Sequence, residues 1–332
     1  MIKKLIKQTE FYIALVIIIL SIAITIFNPK FLTTDNIFSL MKTFSVFGIM
    51  AVGVLFVLVL GGTPDVSFTA IAQVVEYVIV VLTLKWGGNI YLALFFACIM
   101  GALMGSANGY LVHLFKVPTI LVTIATYNIF YGLLYVFSKG NVIFMVHPMF
   151  KQFANIKIGN QIPLLPLIWI LVSILGWLIL RYTRIGRNIY AIGGNEVAAE
   201  RIGINIKWTR IFVFSFVGLL SGIAAIVHVS IVQSAIPNII VGQEMNIIAA
   251  VFIGGASVFG GAGTIIGSFL GIMLLAIVNN GLTLVGISSY WYNIFIGAVI
   301  LISITASAIQ QIHQLKTRVK VRIEMEEEES RV

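Results

Sequence analysis

The sequence predicts an all-α integral membrane protein of about ten transmembrane helices in a single membrane domain. Hydrophobic residues fill 60% of 332 positions and charged residues only 10%, whereas a soluble domain keeps about a quarter of its residues charged. The mean hydropathy is +1.06. Apolar runs of the ~20 residues that cross a bilayer core recur along the chain. The single cysteine, Cys98, excludes a disulfide framework and a cysteine-based metal site. A net charge of +9 would suggest nucleic acid in a soluble chain. In a membrane chain it reports basic loops facing anionic lipid, with no nucleic-acid partner.

The runs fall at about 11–27, 44–61, 66–84, 90–113, 118–137, 163–181, 209–233, 244–259, 263–282 and 290–309. The first follows Lys3, Lys4 and Lys7 and resembles a signal peptide. No small-residue cleavage site follows, and Asn28-Pro29-Lys30 ends it, so it reads as an uncleaved first span. Gly61-Gly62 closes the second run and Pro118-Thr119 opens the fifth. The largest loop between runs, 138–162, offers a short interfacial helix from His147-Pro148 to Ala154. Residues 182–208 are a polar, basic loop, and residues 1–310 form the membrane domain. Residues 311–332 are a charged tail in which an acidic run follows a basic one, and it is expected to be solvated and disordered.

The positive-inside rule orients the spans. Ten spans with both termini in the cytoplasm place fifteen of the twenty-one Lys and Arg residues inside, among them the six of residues 181–210. Glycine recurs every four residues at Gly101, Gly105 and Gly109, at Gly263, Gly267 and Gly271, and at Gly218 and Gly222. That period puts a smooth groove on one helix face, which lets helices pack closely or slide.

Polar groups inside a membrane are expensive and are candidates for a solute path. Asp65 and Ser67 lie in the break Gly61-Gly62-Thr63-Pro64-Asp65-Val66-Ser67, where they either cap the next helix or contact a polar substrate. Gln73 and Glu76 share a helical face and serve an interhelical hydrogen bond or the pathway. Glu244 suits the positive end of the eighth span, with a gate role second. Asn108, Asn128, Gln233, Asn279 and Asn280 either line a path for a hydroxylated solute or bind helices together. The four histidines have no metal-ligand spacing, no Ser/His/Asp arrangement is visible, and the absence of a Gly-Lys dipeptide excludes a P-loop. The chain is therefore not expected to be an enzyme, and any ATP chemistry lies in a partner.

Within the polar loop Gly193-Gly194 are expected to break the chain, with Asn195 as N-cap of a helix from Glu196 to Ile202 and Gly203 as its stop. So short a helix must dock on something. The run Gly186-Arg187-Asn188-Ile189-Tyr190-Ala191-Ile192-Gly193-Gly194-Asn195-Glu196-Val197-Ala198-Ala199, with Gly203-Ile204, resembles the coupling loop of bacterial monosaccharide ABC-importer permeases, the ribose, xylose, galactose, rhamnose and autoinducer-2 type. The likeness continues through Glu244 to Ala250, Gly254 to Thr264 and Asn279 to Leu282, and it covers nearly the whole chain.

The resemblance implies two related halves, a permease dimer of identical or related subunits in the bacterial cytoplasmic membrane, and an extracytoplasmic sugar-binding protein. It also implies a cytoplasmic ATPase subunit that holds ATP and Mg, leaving no cofactor in this chain. Asn195 to Ile204 would then be the coupling helix, with Gly186, Arg187, Gly193, Gly194, Asn195, Glu196, Ala198, Ala199, Gly203 and Ile204 as the ATPase-coupling residues. The sequence departs from the family's Gly-Gly-Ile-Asp-Leu-Ser-Val-Gly at Gly61 to Phe68, which is one residue longer and holds Pro64. It departs again at Tyr131-Gly132, where the family commonly has a basic residue before the glycine, and Glu76 is not a family position. The expected cargo is a monosaccharide or similar polyhydroxylated solute. The alternative is an importer of branched-chain amino acids or nucleosides.

Overall fold

The computed structural model describes residues 9–159, 161–288, 290–298, 301, 302 and 305. The charged tail and the basic residues Lys3, Lys4 and Lys7 lie outside the described residues. Eight helices are long and apolar enough to cross a membrane. They are α1 (Thr9–Phe27), α2 (Thr34–Gly61), α3 (Phe68–Trp86), α4 (Ile90–Phe115), α5 (Thr119–Ser138), α7 (Leu164–Tyr182), α10 (Ile206–Val232) and α12 (Ile265–Val285). Shorter elements join them: α6 (Pro148–Ala154), α8 (Arg184–Gly194), α9 (Glu196–Arg201), α11 (Glu244–Ile253) and the strands β1 (Lys157–Ile158) and β2 (Ile162–Pro163). The chain is thus an all-α, multi-pass membrane protein.

The helices end where the sequence supplies a left-handed residue. Gly62 (φ 72°) follows α2 and Gly87 (φ 79°) follows α3. Lysines take the same conformation after α4 and α5, Lys116 and Lys139 at φ 53°. Asn89 opens α4 by accepting from Tyr91 N at 2.9 Å, satisfying one of the donors a helix start leaves free.

α2 is the central post, buried along nearly all of its second half and packed against α10, α12 and α7. The closest pair is α4 with α10. A β-carbon on Gly101 or Gly105 would overlap the carbonyl oxygens of Gly218 and Phe214, and one on Gly218 or Gly222 would overlap those of Gly101 and Ala97. The four-residue glycine period is therefore a backbone-on-backbone seam. A second seam joins α11 to α12, where Gly267 and Gly271 lie on the carbonyls of Gly254 and Ala250. Gly263 is not part of that helix face; it lies in the connection before α12 at φ 153°.

Three expectations need correction. The eighth span, 244–259, is a helix of only ten residues, about 15 Å long at 1.5 Å per residue. It cannot cross a core of about 30 Å; Gly255, at φ 88°, turns the chain out of the helix. Residues 254–264 instead form a loop whose Val258 to Gly260 backbone packs on Gly62. Gly193-Gly194 do not break the polar loop: they are the last two residues of α8, which the sequence reading did not anticipate. The second span starts ten residues before position 44, at Thr34. Of the tenth, residues 290–298 are helical, and part of its remainder lies outside the described residues.

The bundle has two ends. Residues 184–201, the break at 61–67 and the 254–264 loop share one, here the loop end. Residues 139–163 and 233–238 share the other, joined where Ile143 and Ala235 exchange backbone hydrogen bonds of 3.0 and 2.9 Å.

Candidate functional site

At the loop end, α8 starts on Thr183, whose hydroxyl accepts from Gly186 N at 3.1 Å and donates to Ile179 O at 2.7 Å. Gly186 is bare because a side chain there would strike the carbonyls of Ile179 and Leu180 at the end of α7. Ile189 and Ile192 bury one face of α8 in the bundle, while Arg187 stays exposed. Tyr190 donates to Gly263 O at 2.7 Å, and burial pushes its ionisation above the ordinary tyrosine range, which keeps it a donor. Gly193 lies directly on the carbonyl of Val59, which also accepts from Gly261 N at 2.8 Å. One carbonyl near the end of α2 thus gathers α8 and the 254–264 loop.

Asn195 then turns extended and caps α9, accepting from Ala198 N at 3.0 Å. Gly203 (φ 86°) ends the turn, and Ile204 N closes it on Ala199 O at 3.1 Å. Ala199 is buried, whereas Ala198, Val197 and Ile202 are exposed. Glu196 receives two hydrogen bonds from Arg210 of α10, at 3.0 and 3.1 Å. Beside α9 a groove of about 750 Å³ runs to the α4–α5 turn, with Glu196, Glu200 and Arg210 on one wall and His113, Lys116 and Thr63 on the other. The ten residues of the expected coupling segment thus form one two-helix unit fixed to α2 and α10.

The other candidate residues fall into separate groups. Asp65 Oδ1 accepts from the Ser67 amide (2.7 Å) and hydroxyl (2.6 Å), so the local turn before α3 is organised by Asp65. Asn108 donates to Ser67 Oγ at 2.7 Å from α4, leaving its buried Oδ1 without a partner among the described residues. All three side chains are buried.

Thr69, Gln73 and Glu76 stand at helical spacing on one face of α3; the first two grip the connection from α10 to α11 and the third grips α10 itself. Thr69 donates to Glu244 at 3.0 Å, and Gly242 N donates to the same carboxylate at 2.9 Å. Gln73 donates to Ile236 O and accepts from Ile240 N, both at 2.8 Å. Glu76 pairs with His228 Nδ1 of α10 at 2.5 Å while its fully buried Oε1 has no partner among the described residues. Sequence reasoning did not connect His228 to Glu76. The clue in the sequence was the shared helical face of Gln73 and Glu76, which marks polar groups needing partners.

The remaining candidates stand apart. Asn128 is exposed on α5 and donates back to Ile124 O at 2.8 Å, beside a run of rings in which Tyr127 and Tyr131 stack at 6.2 Å. Gln233 ends α10 in a left-handed conformation (φ 58°). The side chain of Asn279 takes no hydrogen bond among the described residues, while its neighbour Asn280 exchanges two amide bonds, 3.0 and 3.1 Å, with Asn36.

Comparisons with known proteins follow the same extent. The family described as "Branched-chain amino acid transport system / permease component" matches residues 36–304. The chain is 35% identical to the ribose import permease protein of Haemophilus influenzae over 308 residues, 91% of this chain and 93% of that protein. It is 35% identical to the ribose import permease protein of Bacillus subtilis, across 86% of this chain and 88% of that one. The galactose/methyl galactoside import permease protein of Escherichia coli is 28% identical, across 92% and 95%. No solved structure matches.

Proposed function

The chain belongs to the branched-chain amino acid transport system / permease component family, and from that premise we propose that it is the permease subunit of an ATP-driven importer of a monosaccharide or similar polyhydroxylated solute. The ribose and galactose permeases that match it nearly end to end favour sugar over the amino acid of the family's description. In this reading the loop end faces the cytoplasm and both termini are cytoplasmic. A soluble ATPase, which holds ATP and Mg, docks on α9 beside Arg187, Val197 and Ile202. An extracytoplasmic sugar-binding protein meets the opposite end, and a second permease copy completes the path.

The observation that carries the proposal is the attachment of α8 and α9. A helix of six residues is unstable alone, yet this one is capped, stopped by Gly203 and tied through Glu196 to Arg210. A push on α9 is therefore received by α10 through Arg210 and by α2 through Gly193. α10 carries His228 about 27 Å from Arg210, at 1.5 Å per residue, where it holds Glu76 of α3. Closure of the ATPase would shift this rigid set between two arrangements, with the nucleotide supplying the bias between them. Asp65, Ser67, Gln73, Glu76 and Asn108 are enclosed in the present arrangement, so a role in the path requires the α3 face to part from the 233–244 connection. Asn128 and the tyrosines of α5 already lie on an open face.

The test is co-purification with the ATPase, then reconstitution with candidate binding proteins and labelled sugars. ATP-dependent uptake of a pentose or hexose is expected. Uptake that persists without the ATPase refutes the proposal, and uptake restricted to branched-chain amino acids replaces its substrate.

A further inference from the structure

We propose that the groove between α7 and α12 is a specific site for one zwitterionic, phosphoethanolamine-type phospholipid. It consists of two contiguous hollows of about 400 Å³ each, which share Trp177, Ile265 and Ile266. The inner hollow is walled by Ile170, Ile174 and Phe269 and is apolar. The outer hollow is polar: Glu10 and Arg181 line it together with Thr264 and Tyr190.

The polar groups on α7 descend in the order of a glycerophospholipid. Arg181, Trp177 and Ser173 follow one another every four residues and so share one helix face. The Arg181 guanidinium lies 5.7 Å from the Trp177 ring centre, and its hydrogen-bond donors are unused among the described residues. A planar fork of donors suits a phosphodiester. One turn inward the Trp177 indole N–H, which has no acceptor among the described residues, stands at the level of ester carbonyls, where tryptophan commonly sits in membranes. A further turn inward Ser173 also faces the groove, but its Oγ is covered, so the hollow there is apolar. Beyond it the wall is hydrocarbon.

Glu10 selects the headgroup. Its Oε1 accepts from Thr264 at 2.8 Å, and its carboxylate shares the outer hollow with Arg181. A purely anionic headgroup would meet Arg181 but be repelled by Glu10. A headgroup with a phosphate and a primary ammonium satisfies both. A quaternary ammonium carries the charge but has no N–H to donate, so a phosphocholine lipid should bind less well. Because Tyr190 of α8 lines the same hollow, the lipid would sit against the segment that receives the ATPase.

Native mass spectrometry of the full-length permease, delipidated and re-supplied with an equimolar mixture of phosphatidylethanolamine, phosphatidylcholine and phosphatidylglycerol, tests this. One phosphatidylethanolamine per chain should be retained, with roughly tenfold preference over the other two, the size of one charge-assisted hydrogen bond. Arg181→Ala should lose the retained lipid, and Glu10→Gln should keep a phospholipid while losing the preference over phosphatidylglycerol. Ile266→Trp, which fills the groove from an exposed position, should block retention with both charges in place. Equal retention of the three lipids, or retention unchanged in Arg181→Ala and Ile266→Trp, overturns the proposal. A groove that takes up lipid only after removal of residues 306–332 would belong to the chain's own tail and overturns it equally.

Discussion

Arg210 spans from α10 to α9 and closes both carboxylate oxygens of Glu196 at 3.0 and 3.1 Å, with Arg210 85% covered and Glu196 half exposed. An ion pair with an exposed partner contributes about 0–1 kcal/mol, so its weight is positional. Glu196→Gln and Arg210→Ala should leave abundance and thermal stability nearly unchanged while lowering ATP-driven uptake. The charge-reversed double variant, Glu196→Arg with Arg210→Glu, should recover part of the loss. Uptake at the native level in both single variants would remove this link from the transmission.

Gly193 and Gly194 are neighbours with opposite tolerance. Gly193→Ala should destabilise by about 1–3 kcal/mol, the usual cost of overpacking, because its β-carbon would enter the Val59 carbonyl. Gly194→Ala should be neutral or mildly stabilising, since nothing lies within 4 Å and alanine favours the helix. Thermal denaturation of the purified variants separates the two.

Gln73→Ala should free the connection between α10 and α11. It removes the partners of Ile236 O and the buried Ile240 N, at a cost of about 1–3 kcal/mol for the groups left unpaired. Hydrogen exchange should report it, with faster exchange over 236–244 and unchanged protection in α4. Uniform protection would show that Gln73 does not hold the segment.

Glu76 and His228 should behave as a coupled pair. Leaving one partner of a buried hydrogen bond unpaired costs about 1–3 kcal/mol. Glu76→Leu or His228→Leu alone should therefore lower the melting temperature markedly, and the double variant should lose less than the two together. Additive losses in that cycle would mean the 2.5 Å contact carries no coupling.

What could be read from the sequence was local. Asn195 as a cap and Gly203 as a stop follow from side-chain chemistry within one turn, and both hold. The glycine period at Gly101, Gly105, Gly218 and Gly222 announced close packing, though not that the two sets face each other. α8 was hidden because a Gly-Gly pair reads as a breaker. Gly193 serves a close approach instead: the Val59 carbonyl leaves no room for a β-carbon there, a constraint set 134 residues away. The eighth span was overestimated because hydropathy counts apolar residues across Gly254-Gly255 without registering the turn. The pairing of Glu76 with His228 joins residues 152 apart, and no local pattern encodes it.

The α4–α10 seam has a mechanical meaning. Where carbonyl rests on α-carbon, neither helix can creep along the other by a fraction of a turn, since the next residue in register would collide. The pair is a beam: it can tilt or rotate as a whole, and its length of contact is conserved through any cycle. Motion must then be concentrated where the chain is joined by side chains instead of backbone, at the α3 face and the 233–244 connection that it holds. Spin labels on Leu103 and Trp208, both exposed, should keep one separation in every nucleotide state.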